Sequence, residues 1–309
     1  MPSISSIMMK LQLHLMKPFA RFSGIEASRL AQDELGRIGA HVLSSRIAYR
    51  NVPFENFETA FAVPTACEDE KAAAILYLHG GGYVAGSLDY AKAFGGILAA
   101  ETNVPALCVA YRLAPENKFP AALEDAFAAY EYLLHSGYAP DNIALAGESA
   151  GGGLVYCLLL YLKEKGLPLP ACALGISPWV DLTLSGKSYE HNVSRDPSLI
   201  RESLAYYVLV YAAGHEDEPL VSPLRGDVTG FPPSLLFAGG DEILLDDVKS
   251  MHEKLLSSGC RSDLTVEPGL WHVYPLYGTA EGKRAIRRMV EFLLSELKLA
   301  PKTDAAHGA

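Results

Sequence analysis

The chain has no surplus of positive charge. Its 26 Lys and Arg residues stand against 36 Asp and Glu, a formal net charge of -10, with a pI near 5.4. That balance excludes the basic footprint of a nucleic-acid-binding protein. The chain also lacks any uninterrupted apolar run of the roughly 18 residues that a membrane span needs. The apolar stretch 1–22 is broken by Lys10, His14 and Lys17, and no small-residue cleavage site follows a clean apolar run, so no signal peptide is expected. Cysteine is scarce: Cys67, Cys108, Cys157, Cys172 and Cys260 are odd in number, far apart and mostly set in apolar runs. Neither a disulfide framework nor a metal site has that spacing, so they read as reduced residues of a cytoplasmic protein. Internal repeats and low-complexity tracts are absent too.

What remains is a 309-residue chain, half of it hydrophobic, long enough for one large core with a small appendage. Residues 4–46 carry a helical pattern, and 49–63, with Pro53 and aromatics Phe54, Phe57 and Phe61, suggest edge strands. From there, short apolar runs at 73–78, 104–110, 143–146, 171–176, 235–238 and 264–266 alternate with helical stretches at 90–101, 121–136, 151–165, 245–258 and 282–297. Wholly apolar strands separated by helices predict an α/β fold, a mostly parallel sheet covered on both faces. One interval, 184–218, breaks the alternation: it is polar and then helical, with no strand. The division expected is an N-terminal helical part of a cap (1–48), a core in two parts (49–183 and 219–300), a cap insertion (184–218) and a frayed tail (301–309).

The stretch that carries chemistry is Gly147-Glu148-Ser149-Ala150-Gly151, a G-x-S-x-G pentapeptide between a short apolar strand and an apolar helix. Glycines two residues to either side allow a sharp strand-to-helix corner that presents the serine hydroxyl, with the helix N-terminus behind it. Composition alone yields roughly 0.2 such matches by accident, so the pentapeptide is weak evidence by itself. His79-Gly80-Gly81-Gly82, after another apolar strand, is a far rarer match, roughly 0.006 by the same arithmetic. The two are complementary, because an intermediate formed on Ser149 needs bare amides for its oxyanion and a glycine loop supplies them.

A serine nucleophile requires a base, and the base an orienting carboxylate. His191 and His215 belong to the inserted segment and His252 to a helix, whereas His272 follows the last strand directly. It is therefore the expected base. For the acid, Asp241 is the first carboxylate past Gly239-Gly240 and Glu242 the runner-up, while Asp246 and Asp247 suit the start of the next helix. His79 reads as structural, and Tyr111 to Glu116 as a turn propping the site's floor. Tyr83, Trp179, Tyr206 and Tyr207 are candidates for a substrate pocket or for core packing.

With these residues in view, the chain resembles the hormone-sensitive-lipase-like (family IV) branch of the α/β-hydrolases, with its bacterial esterases and monoterpene lactone hydrolases. The likeness rests on His79-Gly80-Gly81-Gly82-Tyr83, Tyr111-Arg112-Leu113-Ala114-Pro115-Glu116, Gly147 to Gly152, Ser222-Pro223-Leu224, Gly240-Asp241-Glu242 and Trp271-His272-Val273, within about residues 70–295. It implies Ser149, Asp241 and His272 as a triad and the amides of Gly81, Gly82 and Ala150 as an oxyanion hole. Where the family more often has Asp, this chain has Glu148. The expectation is a serine carboxylic-ester hydrolase for short to medium acyl esters or lactones, without metal or cofactor, and the resemblance implies pairing as a homodimer through a sheet edge. Amide or arylformamide hydrolysis would use the same triad. A non-catalytic ligand-binding protein, as in the related plant gibberellin receptors, would have lost the histidine that is retained here.

Overall fold

Alternate side chains of the strand Ala74–Leu78 enter two different cores: Ala74, Leu76 and Leu78 lie in one and Ile75 and Tyr77 in the other, all of them inaccessible to solvent. A strand buried on both faces has no polar side, which is why its sequence is uniformly apolar. This computed structural model describes residues 2–21 and 24–300. Its sheet comprises β1 (Ile47–Pro53), β2 (Glu58–Pro64), β3 (Ala74–Leu78), β4 (Ala106–Ala110), β5 (Ile143–Glu148), β6 (Cys172–Ile176), β7 (Ser234–Gly239) and β8 (Ser262–Glu267). The spatial order is β1-β2-β4-β3-β5-β6-β7-β8. β2 is antiparallel to both of its neighbours, and every other pairing is parallel. The strands expected from the apolar runs are all present, as is the pair at the edge.

Helices α1 (Ile4–Arg21) and α2 (Ile25–Val42) precede the sheet. α3 (Leu88–Thr102) and α9 (Ala280–Glu296) cover one face. α4 (Ala121–His135), α5 (Ser149–Glu164) and α8 (Leu245–Ser257) cover the other. α2 lies directly against α3: a Cβ on Gly36 would fall 2.4 Å from the Tyr90 nitrogen, so only glycine permits that approach. The interval after β6 holds α6 (Ser188–His191) and α7 (Arg201–Ala212) and no strand. α7 packs Leu204, Val208 and Tyr211 onto the α5 side. The tail 301–309, expected to fray, lies outside the described residues.

One boundary moves in a way that matters. β5 runs through Gly147 and Glu148, which stay paired with Gly175 and Ile176 of β6, and α5 begins at Ser149 itself. The turn is therefore a single residue wide.

Candidate active site

Ser149 takes φ 54°, in the left-handed region that side chains other than glycine rarely adopt. The corner around it is too tight for Cβ atoms: one on Gly147 would meet the Gly151 carbonyl oxygen at 2.5 Å, and one on Gly151 the Leu78 carbonyl oxygen at 2.1 Å. Strand and helix thus pass in contact and the serine is left at the apex. Ala150, second residue of α5, has a backbone N–H with no acceptor within the helix.

The glycine loop after β3 is held from three sides. Gly80 N–H donates to Glu148 Oε1 at 2.6 Å, and the Tyr77 hydroxyl donates to Glu148 Oε2. The Tyr111 hydroxyl donates to the His79 carbonyl at 2.7 Å, and its ring stacks on the His79 imidazole at 4.3 Å. His79 Nδ1 sits 2.6 Å from the Gly80 carbonyl, which can only accept, so Nδ1 carries the proton. Burial lowers the His79 pKa to about 4, so the ring is neutral and its part is structural. Burial likewise raises Glu148 to about 8, which makes it a neutral carboxylic acid at moderate pH. Gly81 and Gly82 have φ 113° and 64°, conformations natural to glycine, and a Cβ on Gly82 would run into the Tyr207 ring at 2.5 Å.

His272 is brought to the same place by the loop after β8, but its carboxylate neighbour is not the one expected. The structure turns Asp241 away: its carboxylate pairs with Lys10 of α1, whose ammonium also reaches the Gly269 carbonyl at 3.0 Å. Glu242, fully buried, places Oε2 3.6 Å from His272 Nδ1. The reason is the register of the turn after β7. Gly240 N–H donates to Glu267 O at 2.8 Å and Asp241 N–H to Leu270 O at 2.9 Å. From the other side Asn192 Nδ2 donates to Glu242 O at 2.9 Å, Ile243 N–H to Asp196 Oδ2 at 2.9 Å, and Ser188 Oγ to Ile243 O at 2.7 Å. So clamped, adjacent side chains leave in opposite directions, and Glu242 folds back to accept from Gly239 N–H at 3.2 Å and Ser177 Oγ at 2.7 Å.

Ser149, His272 and the amide-bearing Gly80, Gly81 and Gly82 line one pocket of about 230 Å³. Of the four aromatic candidates only Tyr207 lines it. Tyr83 is stacked on Tyr211 with centroids 4.0 Å apart and is core, Trp179 is buried behind the corner with its backbone N–H donating to Ser149 O, and Tyr206 is half exposed. For Tyr83 and Trp179 core packing, the other reading open to them, is what the structure shows, since an aromatic near a motif packs as readily as it binds. Three contributors were not legible. Ser177 joins Glu242 to the His272 loop, with Val273 N–H donating to its Oγ at 3.0 Å, and Ser28 and Gln32 enter the pocket from α2. Nothing in the helical pattern of residues 25–42 singles out those two polar positions. Among the described residues no cluster of His, Cys, Asp and Glu could hold a metal ion.

A parallel sheet with a serine at a strand-to-helix corner, a glycine loop beside it and a histidine after the last strand defines a hydrolase architecture. Residues 75–276 match the family model of the alpha/beta hydrolase fold. The chain belongs to that family, in its hormone-sensitive-lipase-like branch of esterases. It is 40% identical over 222 residues to an acetyl-hydrolase of Streptomyces hygroscopicus, covering 71% of this chain and 74% of that one. It is 32% identical over 235 residues to an ethyl acetate hydrolase of Pseudomonas putida, covering 73% and 74%. A solved esterase of the bacterial hormone-sensitive lipase family superposes with TM-score 0.86 at 33% identity, over 96% of this chain and all of that one.

Proposed function

We propose that this protein is a carboxylesterase-type serine hydrolase in which Ser149 is the nucleophile, His272 the general base and Glu242, rather than Asp241, the orienting acid. The observation that carries the reading is the single pocket shared by Ser149, His272 and the glycine loop, with Glu242 facing the far nitrogen of the imidazole. His272 Nε2 takes the hydroxyl proton as Ser149 attacks the ester carbonyl, while Glu242 favours the tautomer with Nδ1 protonated and stabilises the imidazolium. The amides of Gly81, Gly82 and Ala150 receive the oxyanion. His272 then protonates the leaving alcohol, and water, activated by the same base, releases the acyl group.

The small pocket and the acetyl-hydrolase and ethyl acetate hydrolase relatives support short to medium acyl esters or lactones as substrates. Segments 1–48 and 184–218 serve as a cap over the site, a reading supported by the α2 residues in the pocket and the α7 residue Tyr207 against Gly82. The protein acts in the cytoplasm, consistent with five cysteines that are all free, and no described helix is long and apolar enough to cross a membrane. Among the described residues β8 pairs only with β7, and two copies join through that sheet edge as a homodimer.

Hydrolysis of p-nitrophenyl butyrate tests the assignment. Ser149→Ala should lower kcat by at least about a thousandfold and Glu242→Gln by at least about a hundredfold. Asp241→Asn should cost less than about tenfold, since its partner is Lys10 of α1 and not the imidazole of His272. The reverse order of the two carboxylate variants would return the acid to Asp241, and an active Ser149→Ala would end the reading.

A further inference from the structure

Among the described residues that line the catalytic pocket, two carry a buried polar atom without a hydrogen-bond partner, His272 Nδ1 and Gln32 Oε1. The first faces Glu242 Oε2 at 3.6 Å, and the acid explains it. The second takes no part in the reaction. Gln32 as a residue is half-buried, yet its Oε1 is out of reach of solvent. An amide oxygen shut away without a donor weakens the folded protein, and a ligand that brings the donor removes the penalty.

Gln32 is held in place from both sides. Three residues before it, Arg29 donates to Val84 O at 2.8 Å and to Ala114 O at 2.9 Å, and grips both oxygens of Glu116 at 2.9 and 2.7 Å. Four residues after it, Gly36 lies against the Tyr90 backbone with no room for a Cβ. The side chain between them reaches the glycine loop: a Cβ on Gly81 would stand 2.9 Å from Gln32 Oε1. Gly81 supplies one of the amides proposed for the oxyanion, so the carboxamide stands beside the ester group itself. Ser28, one turn earlier on the same face of α2, lines the pocket too, whereas the insertion contributes Leu199 and Leu204. The pocket thus has one polar wall and one apolar wall.

We propose that Gln32 determines specificity: the enzyme prefers esters bearing a hydroxyl group a few bonds from the carbonyl, and that hydroxyl donates to Gln32 Oε1. This deepens the reading of Ser149 and His272 as the reacting pair and rests on it. A carboxylate offers no donor to an amide oxygen. An ammonium would lose its hydration in a pocket whose own carboxyl, Glu148, is neutral at moderate pH and already engaged with Gly80 and Tyr77. A plain alkyl group would leave Gln32 Oε1 unpaired, and a site built around a hydrogen bond discriminates against the analogue that lacks it. The hydroxyl can sit on the acyl or the alcohol side of the ester, and the two sources are separable.

The test uses pairs of esters, one member of each carrying the hydroxyl: ethyl 3-hydroxybutanoate against ethyl butanoate for the acyl side, and 2-hydroxyethyl acetate against propyl acetate for the alcohol side, each followed by release of acid. The wild type should favour the hydroxylated member of one pair, which identifies the side. Gln32→Met keeps the length of the side chain and removes the carboxamide. Its ratio of kcat/KM between the two members should be about three- to tenfold lower than that of the wild type, the net worth of one hydrogen bond. Comparing ratios cancels the intrinsic reactivity of each ester. Gln32→Glu keeps an acceptor oxygen and should keep the preference, even where its charge beside the oxyanion slows both members. An equal loss on both members in Gln32→Met would make the side chain a mere support of the pocket and overturns the proposal, as does a ratio unchanged in Gln32→Met or lost in Gln32→Glu. Ser149→Ala separates the two readings. If it still hydrolyses ethyl butanoate, the assignment of the reacting pair falls; if it is inactive while the wild type favours neither hydroxylated ester, the role of Gln32 alone falls.

Discussion

Ser177 connects two parts of the site that are 65 and 96 residues away in the chain. Its hydroxyl donates to Glu242 Oε2 at 2.7 Å and accepts from Val273 N–H at 3.0 Å, so one oxygen sets the carboxylate and the backbone after His272 together. It touches no reacting atom and acts through Glu242, as a positioning residue. Ser177→Ala would leave the Val273 amide buried without an acceptor and Glu242 with one fewer donor, at a cost of about 1–3 kcal/mol. The expected outcome is a fall in kcat for p-nitrophenyl butyrate of about tenfold with KM nearly unchanged, because ground-state binding does not use this bond. Ser177→Thr, which keeps the hydroxyl, should recover part of the rate; no recovery together with a raised KM would mean simple loss of the pocket. At this scale Ser149 and His272 were legible, since a glycine-flanked corner and chain order single them out. Glu242 and Ser177 were not: which of two adjacent carboxylates faces a histidine depends on the turn's partners.

Those partners belong to an element, the insertion between β6 and β7. Asp196, fully buried, accepts from Ser198 N–H and Leu199 N–H as well as from Ile243 N–H, in the loop after β7. It thereby caps its own turn and fixes the loop that carries Glu242. Asp196→Ala would strand buried amides, with a stability loss of about 1–3 kcal/mol, or a Tm lower by roughly 2–10 °C for a protein of this size. Activity should fall with it, as Glu242 loses its clamp. Differential scanning calorimetry and the p-nitrophenyl butyrate assay check both, and a variant with lowered Tm but full kcat would show that the insertion stabilises without positioning. The helical character of the later part of 184–218 was readable from its pattern, and α7 occupies Arg201–Ala212. The clamp was not, because a polar stretch looks the same whether it faces water or another loop's amides.

For the molecule as a whole, a carboxylic acid in the core sets a dependence on pH. Unfolded, Glu148 would ionise near 4.5, whereas burial in the folded protein raises it to about 8. Between those values the folded state holds the proton that the unfolded state has released, so stability is greatest at the acid end of the window and declines as pH rises towards 8. Asp247, raised by its own burial, acts in the same sense. Glu148→Gln keeps an acceptor for Gly80 N–H, places an amide N–H where Glu148 Oε2 faces the Tyr77 hydroxyl, and removes the titration. Urea midpoints at pH 5.5 and pH 8 should therefore converge in the variant relative to the wild type. An equal fall in both proteins would assign the decline to other groups.

The order of strands and helices, the corner at Ser149, the glycine loop and the choice of His272 were all written in local pattern. Periodicity reports burial, and a turn one residue wide accepts few residue types. Packing alone turned Glu242 rather than Asp241 towards His272, drew Lys10 to the outward carboxylate 231 residues away, and opened an apolar groove beside the Ser149 pocket. Those choices depend on side-chain directions in irregular loops, which are set by hydrogen bonds between segments far apart in the chain and leave no periodic trace along it.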